Sequence, residues 1–381
     1  MKNLLTAFAF FLTIGSSVMA LADSGLNPAY EKQAQLAIKA MAEKNGLEAD
    51  RWPFAEPEKW PGEKAGWSED SPRRLISLDL EEYPVSGEVD VSGLPSLESF
   101  TLLLAVNETG SPGRIIFGDN QGLKHLTIYG EGGQIPAVID LEALISLESL
   151  TLNNYGLDTL NLSHNRQLRA LDITAGFNLA ALDISANAKL ESLSLFACWL
   201  TALDISRNTA LKTVAIESCG LERINTGENS LPSLETFAVS SCRLPLSALA
   251  EVAAKAPGKF YAGNQRQVLF SSKVFPAVEE AVIDLSSEAL INGVPTDFVV
   301  LDDKLDIADE SRYSLENGVI RFKERGRYII AMCNPVICGR NDHEIFKKVE
   351  NFNRGHLPGL FTGHIDVGNV EDQKKITPSV C

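Results

Sequence analysis

The sequence predicts a mainly β protein: a solenoid of leucine-rich coils, preceded by a helical cap and followed by a small C-terminal β-sandwich. Three observations predict this order. Leucines recur about every 21 residues through the middle of the chain. A segment near the start has the apolar spacing of an amphipathic helix. From Arg266 onward the period ends, and short strand-like runs separated by glycine turns replace it.

The repeat is defined by its leading leucines. They fall at Leu147, Leu168, Leu190, Leu211 and Leu234, so successive repeats differ by 21, 22, 21 and 23 residues. Asparagines keep the same period at Asn165, Asn187, Asn208 and Asn229. Because asparagine amides can pair with backbone groups that a tight turn leaves without partners, we predict a buried asparagine ladder.

Each repeat contains two L-x-L segments, which gives a half-period of ten or eleven residues. The pairs are Leu150/Leu152 and Leu160/Leu162, Leu171/Ile173 and Leu182/Ile184, and Leu193/Leu195 and Leu203/Ile205. In such a segment the apolar residues point to one face and the middle residue points to the other. One coil cannot bury its leucines alone, whereas stacked coils can, so the pattern predicts a solenoid.

The second half of the repeat carries a recurrent phrase. It reads LDISAN at residues 182–187 and LDISRN at 203–208, and LNLSHN at 160–165 has Asn161 in place of Asp. These phrases resemble the nested, IRREKO-type repeats of bacterial leucine-rich-repeat proteins, clearly over 147–244 and in degenerate form from about Leu75. The resemblance implies a leucine-rich-repeat β-solenoid with short strands on two sides, and binding rather than catalysis.

The first 22 residues have the features of a secretory signal peptide. Lys2 supplies the positive start, residues 4–18 the apolar stretch, and Ala20-Leu21-Ala22 the cleavage site. We expect a mature chain that begins at Asp23 and is exported, to the periplasm, the cell surface or the medium. No later apolar run is long enough to span a bilayer, so we expect no membrane insertion.

The same patterns place the domain boundaries. Residues 1–22 are the signal peptide, 23–70 a helical and Trp-rich cap, 71–262 the solenoid with a short capping helix, 263–338 the β domain and 339–381 an irregular tail. In the cap, the predicted helix ends at Gly46 and is followed by Trp52, Trp60 and Trp67. In the tail, one strand is predicted at 363–367.

The β domain contains a clear hairpin signal. Asn317-Gly318 separates two strand-like runs, and this dipeptide favours a tight turn between antiparallel strands. The run IDLSSEALINGVPTDFVV, followed by GVIRF and GRYIIAMCNP, resembles the Ig-like module that follows repeats in exported Bacteroidetes-type proteins.

The cysteines form two groups. Cys198, Cys219 and Cys242 are 21 and 23 residues apart, in the register where family repeats usually place Asn, and this spacing predicts a ladder of buried, reduced thiols. Cys333 and Cys338 enclose a tight loop, for which we predict a local disulfide. Cys381 is left over and can pair with another chain.

The outward-pointing residues of the repeats are the candidate binding residues. Those predicted on one side of the coils are Thr151, Asp172, Ser194, Phe196 and Glu217, and those on the other side are Asn161, Asp183 and Asp204; together they form the candidate solenoid face. The alternative is that these are ordinary solvated strand faces. Phe196 and Trp199 stand out, because exposed aromatics in a polar row are typical contact anchors, although Trp199 can equally fill the core.

Charge and motifs exclude several other functions. A net charge of −16 argues against binding nucleic acid. The chain has no G-x-S-x-G, H-E-x-x-H or P-loop motif, so we predict no enzyme and no cofactor. Two clusters suggest metal ligands: Asp302, Asp303, Asp306, Asp309 and Glu310, and also His356, His364 and Asp366. Neither has the spacing of a known site, so no metal is predicted.

Three functions remain open after these exclusions. A module that binds a protein or polysaccharide is preferred, because the chain combines an export signal with an extended repeat surface. The alternatives are a structural protein that forms homo-oligomers through its acidic solenoid or Cys381 and, third, a periplasmic carbohydrate-active enzyme. The enzyme would need only two carboxylates held at a fixed separation in a pocket.

Overall fold

The computed structural model describes residues 26–45, 56–60, 64–85, 87–105, 114–130, 139–153, 157–228, 231–255, 259–263, 266–304, 306–338 and 360–368. The chain forms two compact units, Met1–Leu147 and Glu148–Cys381. Among the described residues, no helix has the length and apolar composition that a membrane crossing requires. The architecture is mainly β, with a leucine-rich solenoid, a helical cap and a small C-terminal β domain.

The described residues of the first unit form one helix, one short 3-10 turn and six strands. They are α1 (Lys32–Lys44), the 3-10 turn Pro57–Lys59, β1 (Ala65–Trp67), β2 (Leu75–Val85), β3 (Glu88–Asp90), β4 (Ser99–Leu104), β5 (Arg114–Ile116) and β6 (His125–Gly130). β2, β4 and β6 are parallel neighbours, and β1 pairs antiparallel with β2. β3 and β5 form a separate parallel pair, so this unit already has strands on two sides of its coils.

The predicted cap helix is present as α1. Its buried residues follow a helical stripe: Ala34, Gln35, Ile38, Met41 and Ala42. The helix ends at Lys44, two residues before the predicted stop, and is capped by Asn45, whose side-chain Nδ2 donates to the carbonyl of Met41 (2.8 Å). Gly46 and Trp52 lie outside the described residues.

Aromatic side chains cover the start of the first sheet. The ring of Trp67, on β1, packs edge-on against Tyr30 with the centroids 4.8 Å apart, and the ring of Trp60 is 5.2 Å from that of Trp67. Terminal coils need such covers because their apolar residues otherwise face water.

The solenoid of the second unit begins with β7. Its strands are β7 (Ser149–Asn153), β8 (Ala170–Thr174), β9 (Ser192–Phe196), β10 (Ala202–Asp204), β11 (Thr213–Glu217), β12 (Arg223–Asn225), β13 (Thr236–Ser240) and β14 (Lys259–Gly263). β7, β8, β9, β11, β13 and β14 are hydrogen-bonded neighbours in that order, and all these pairs are parallel; we call them the main sheet.

The second side of the coils has fewer strands than the sequence predicts. β10 and β12 pair in parallel there, with Asp204 opposite Asn225. The equivalent segments of the two preceding coils, 160–162 and 182–184, are extended without strand pairing. Their apolar residues are nevertheless buried, so the inward packing continues where the ladder hydrogen bonds do not.

The predicted asparagine ladder is confirmed for the described positions. Asn165, Asn187 and Asn208 are fully buried. The Asn187 amide donates to the carbonyls of Leu162 and Asn165 (3.2 and 2.9 Å), and the Asn208 amide donates to those of Ile184 and Asn187 (2.9 Å each). Each asparagine therefore ties its own turn to the preceding one. Asn229 lies outside the described residues.

A short helix and the β domain follow the repeats. Their elements are α2 (Leu246–Lys255), β15 (Arg266–Phe275), β16 (Val282–Asp284), β17 (Leu290–Ile291), β18 (Val294–Pro295), β19 (Asp297–Leu301), β20 (Tyr313–Glu316), β21 (Val319–Phe322), β22 (Gly326–Cys333), α3 (Pro335–Cys338) and β23 (Leu360–Val367), with 3-10 turns at Val278–Glu280, Ser286–Glu288 and Glu310–Arg312. Two larger sheets, β15-β23-β22-β19 and β16-β21-β20, and the short antiparallel pair β17-β18 result.

The two sheets of the β domain share an apolar core. Ile320 and Phe322 of one sheet and Tyr328 and Ile330 of the other are buried, and the rings of Phe322 and Tyr328 stack at 4.5 Å. The predicted hairpin is confirmed, because β20 and β21 pair around Asn317-Gly318, both at positive φ (47° and 79°).

The last described strand is longer than predicted. The sequence predicts a strand at 363–367 within an irregular tail, and β23 spans Leu360–Val367. It lies between β15, to which it is parallel, and β22, to which it is antiparallel. This part of the segment after residue 338 therefore belongs to the β domain's own sheet.

The β domain is joined to the solenoid's last helix through a buried carboxylate. Glu288 is 5% exposed, and its two oxygens accept from the backbone N–H and the hydroxyl of Ser247, both at 3.1 Å. Ser247 is in the first turn of α2, where N–H groups have no partner within the helix and a negative charge is favoured.

Candidate functional site

The main sheet alternates buried and outward residues as predicted. In β7, β8 and β9 the apolar residues are buried, and the residues between them are partly exposed. Leu193 and Leu195, for example, are 0% and 1% exposed. The outward side chains are therefore set in straight rows across neighbouring strands.

The strand register defines two of these rows. The first contains Thr151, Asp172, Ser194, Ala215, Ala238 and Tyr261, each a Cα partner of the next. The second contains Asn153, Thr174, Phe196, Glu217 and Ser240, paired in the same way. Five of the eight predicted binding residues, Thr151, Asp172, Ser194, Phe196 and Glu217, lie in these two rows.

The other three predicted residues lie elsewhere. Asp204 is on β10, in the separate β10-β12 sheet, and Asn161 and Asp183 occupy equivalent positions of the two preceding coils. They belong to the second side of the coils. The eight candidate residues are therefore divided between two surfaces of the solenoid, in the same two groups that the sequence predicts.

The Asn and Asp side chains on the second side of the coils stabilise the turns that follow them. Asn161, Asp183, Asp204 and Asn225 each accept through Oδ1 from the backbone N–H two residues later, at 2.8–3.1 Å. Hydrogen bonds from the side chain and backbone of Ser185 hold the pKa of Asp183 below its usual value, and those of Ser206 do the same for the pKa of Asp204. The phrase L-D-I-S is thus a turn motif.

Three large aromatic side chains are exposed at one edge of the main sheet. Phe177, Phe196 and Trp199 are 48%, 42% and 63% exposed. Phe196 ends β9, and Trp199 is three residues further along. Phe177 stands three residues after Thr174, the Cα partner of Phe196, so it is the counterpart of Trp199 in the adjacent coil. We call these three residues the aromatic patch.

The alternating pattern of the strands points to Phe196 and Trp199 as exposed aromatic residues but not to Phe177. The signal that could have found it is its spacing, because Phe177 precedes Trp199 by 22 residues, one repeat. The exposure of Trp199 decides between the two roles that the sequence leaves open for it: its side chain does not fill the core.

The aromatic patch lies next to a turn that recurs in each coil and contains one residue in the left-handed backbone conformation. Ala175, Ala197, Ser218 and Ser241 have φ values of 57°, 54°, 54° and 51°, each directly after a strand of the main sheet. In the coil of β9, the chain turns at Ala197 so that Cys198 points into the core and Trp199 points out. The Ala175 N–H donates to the Phe196 carbonyl (2.8 Å), so the turns of adjacent coils are tied together.

The cysteine ladder lies directly beneath this edge. Cys198, Cys219 and Cys242 are 1%, 4% and 0% exposed, as the spacing predicts. A hydrogen bond with Cys219 and burial raise the pKa of Cys198, and burial raises the pKa of Cys242 to about 12. The thiols of Cys198 and Cys242 therefore stay protonated at neutral pH, which makes these two poor nucleophiles.

The ladder ends at Gly176, which occupies the same register one coil before Cys198. A Cβ added to Gly176 would lie 3.0 Å from Cγ2 of Ile173 and 3.3 Å from Sγ of Cys198. The Cys198 side chain therefore fills the space over this glycine, and a side chain at Gly176 would have to displace it.

The predicted disulfide remains a prediction. Cys333 is buried at the end of β22. The side chain of Cys338 and all of Cys381 lie outside the described residues.

Two carboxylates of the acidic cluster, Asp302 and Asp309, stabilise local turns. Oδ1 of Asp302 accepts from the N–H groups of Lys304 and Asp306 (2.9 and 3.0 Å), and Asp309 caps the turn Glu310–Arg312. His356 and the side chain of His364 lie outside the described residues. Within the part of the chain that the structure describes, no group of three or more His, Cys, Asp or Glu could hold a metal ion.

One groove, of about 580 Å³, brings carboxylates together on the second side, between β10, β12 and α2. Asp183 and Asp204 reach it, but both hold turns, and hydrogen bonds lower their pKa values. Glu251 also lines it, where a hydrogen bond from Lys255 lowers its pKa. A general acid for glycoside hydrolysis needs a raised pKa, whereas the pKa values of these three carboxyls are lowered. The fourth carboxylate that lines the groove, Glu222, lies 3.6 Å from the guanidinium of Arg243.

Comparison with known proteins identifies structural neighbours but does not assign the chain to a family. No family model matches the chain, and neither does any curated protein. Among solved structures, InlP from Listeria monocytogenes is 14% identical, with 88% of this chain and 96% of that chain covered and a TM-score of 0.45.

Two further matches extend over only part of the other protein. The functional domain of InlJ from Listeria monocytogenes, described as including a cysteine ladder, is 16% identical over 77% of this chain, with a TM-score of 0.48. The chain spans 62% of that structure. A leucine-rich-repeat ectodomain of a plant receptor kinase from Arabidopsis thaliana is 14% identical over 63% of this chain and 30% of its own, with a TM-score of 0.42.

Proposed function

We propose that this chain is an exported, non-catalytic recognition module that binds a protein partner through the main sheet of its solenoid. The aromatic patch carries the proposal. Soluble proteins rarely cluster large apolar side chains at the surface without a partner, and aromatic residues supply much of the binding energy in interfaces.

The rest of the main sheet fits a contact surface. Thr151, Thr174 and Ser194 are short, partly exposed and held in register by parallel strands. A rigid row of small polar groups lets a partner approach the sheet closely, and little side-chain entropy is lost on binding. The patch then supplies anchors at the edge of a preorganised surface.

The finer features of the proposal come from the sequence. Export, to the periplasm, the cell surface or the medium, is supported by residues 1–22. The nested repeat type and a Bacteroidetes-type Ig-like module for residues 263–338 are supported by the phrases quoted above. The absence of catalytic motifs and the lowered pKa values of three groove carboxyls support a non-catalytic role.

The test is a capture experiment followed by an affinity measurement. Immobilised protein is exposed to a mixture of extracellular proteins and polysaccharides, and the retained partner is identified. Its affinity is then measured for the natural chain, for Phe196→Ala/Trp199→Ala and for Leu290→Ala. Leu290 is the matched control, because it is an apolar residue 61% exposed on β17, far along the chain from the patch.

We expect the double variant to lose about 30-fold or more in affinity, since interface anchors typically contribute about 2 kcal/mol or more each. The Leu290→Ala affinity should be unchanged. Equal affinities for all three proteins would contradict a site on the patch. Retention of a polysaccharide alone would favour a glycan-binding module, and retention of nothing but further copies of this chain would favour the structural alternative.

A further inference from the structure

The charges around the aromatic patch are unevenly balanced. Along the opposite edge of the main sheet, Glu148, Arg169, Glu191 and Lys212 alternate in sign from coil to coil. Arg169 pairs with both acidic neighbours, and Glu191 pairs with both basic ones. Hydrogen bonds from Lys212 and Arg169 lower the pKa of Glu191. This edge neutralises its own charges.

The rows next to the patch contain carboxylates without such partners. Glu217 is exposed and is the Cα partner of Phe196, about 5 Å away across the ladder. Asp172 is diagonal to Phe196 and accepts only a hydroxyl hydrogen bond, from Thr174 at 3.3 Å. Among the described residues neither carboxylate has a cation within ion-pair distance.

The nearest basic residue in the register of the patch is already engaged. Arg243 stands two coils beyond Trp199 at the equivalent position, and its guanidinium lies 3.6 Å from the carboxylate of Glu222. The patch and its two rows therefore combine exposed aromatic rings with uncompensated negative charge.

Building on the proposed function, we infer that the partner presents an arginine or lysine between apolar side chains to the aromatic patch, with its cation placed between Glu217, Asp172 and the rings. A cation is attracted both by carboxylates and by the faces of aromatic rings. Arginine suits the site better, because its planar guanidinium can stack on a ring and bond a carboxylate at once.

This chemistry separates a basic protein segment from other ligands. Anionic polysaccharides, nucleic acids and anionic lipid surfaces are repelled by the same carboxylates. A neutral glycan can stack on the rings, but its affinity would not depend on the charge of Glu217 or on salt. An apolar segment without a cation would leave both carboxylates partly desolvated and unpaired, which disfavours binding.

The experiment uses three fluorescent peptides of the same length in which leucine alternates with arginine, with citrulline or with glutamate. Citrulline keeps the shape of arginine without its charge. Binding to the full chain is measured by fluorescence anisotropy at low and at high salt, together with Glu217→Gln, Asp172→Asn and the control Glu316→Gln. Glu316 is an exposed carboxylate on β20.

We expect the arginine peptide to bind at least about tenfold more tightly than the citrulline peptide, and the glutamate peptide not to bind. Glu217→Gln and Asp172→Asn should each weaken arginine-peptide binding several-fold, and high salt should weaken it further. Glu316→Gln should leave it unchanged.

Three results would overturn the inference: no binding of the arginine peptide, equal binding of the arginine and citrulline peptides, or equal losses in Glu316→Gln and the patch variants. The last would mean nonspecific attraction to an acidic protein. The proposed function is tested by a different result from the one that tests this inference. A captured partner that depends on Phe196 and Trp199 but not on Glu217 or Asp172 would keep the recognition module and remove only its preference for a cation.

Discussion

Replacing Leu193 with alanine tests the inward packing of the solenoid. Leu193 is fully buried in β9, and its Cα partners in the adjacent coils are Leu171 and Val214. Ladder hydrogen bonds hold both neighbouring strands in place, so the coils can move only slightly into the space that the variant leaves. Ser194, the next residue, points outward and is the matched control.

The expected cost has two parts. The substitution removes three carbon atoms from the core, and at about 0.8 kcal/mol each this gives about 2.4 kcal/mol. If a cavity of about 50 Å³ persists, it adds about 1.2 kcal/mol at about 24 cal/mol per Å³. We therefore expect Leu193→Ala to lower the free energy of unfolding by about 3–4 kcal/mol, and Ser194→Ala to change it by less than about 0.5 kcal/mol.

Urea unfolding followed by circular dichroism measures both variants against the natural chain. The free energies of unfolding are compared only between proteins whose transitions have the same m value, the dependence of that free energy on urea concentration. This condition is needed because repeat proteins can lose cooperativity when one coil is weakened. Equal losses in the two variants, or a larger loss in Ser194→Ala, would refute the assignment of the buried and outward faces.

Three further predictions concern stability. Asn187→Ala removes two buried amide hydrogen bonds between coils, to carbonyls that each keep one backbone N–H donor. At about 0.5–1.5 kcal/mol per bond it should cost about 1–3 kcal/mol in urea unfolding, whereas the exposed Asn178→Ala should cost almost nothing. Glu288→Ala removes the buried acceptor at the first turn of α2, which should cost about 1–3 kcal/mol and speed amide exchange in that helix; intact protection there would contradict the capping role. Hydrogen bonds from Ser206 lower the pKa of Asp204, so its contribution to stability is present above about pH 3.9 and is lost as the pH falls through the folded-state pKa. Asp204→Asn keeps an acceptor without a charge and should flatten the acid side of the Tm–pH curve; an unchanged curve would show that this carboxylate contributes nothing.

The solenoid was predictable because two periods act together. Alternation within an L-x-L segment fixes which side chains are buried, and the 21-residue repeat brings the same position of each coil into register. Asn187 and Cys198 were therefore placed correctly in buried ladders from spacing alone. A residue's partners in the next coil follow from the same count.

The division of the outward residues between two sides also follows from the sequence, because Thr151 and Asn161 belong to different L-x-L segments of the same repeat. The role of the residues on the second side was harder to predict. Spacing gives both rows equal weight as binding candidates. Asp183 and Asp204 were read as surface candidates, whereas backbone N–H groups two residues later engage their carboxylates.

Two other features depend on long-range or conformational detail. β23 pairs with β15, about 90 residues earlier in the sequence, and no local pattern encodes such a partner. The exposure of Trp199 depends on the left-handed conformation of Ala197, which is uncommon for a residue with a Cβ and gives no compositional signal.

The most direct test of the recognition surface is site-specific photo-crosslinking of the captured partner. A photoreactive phenylalanine analogue replaces Phe177, which is 48% exposed in the aromatic patch, or in a separate protein Leu290, which is 61% exposed in the β domain. We predict a covalent adduct with the partner from position 177 and none from position 290. An adduct from position 290 alone would contradict it and would place recognition on the β domain.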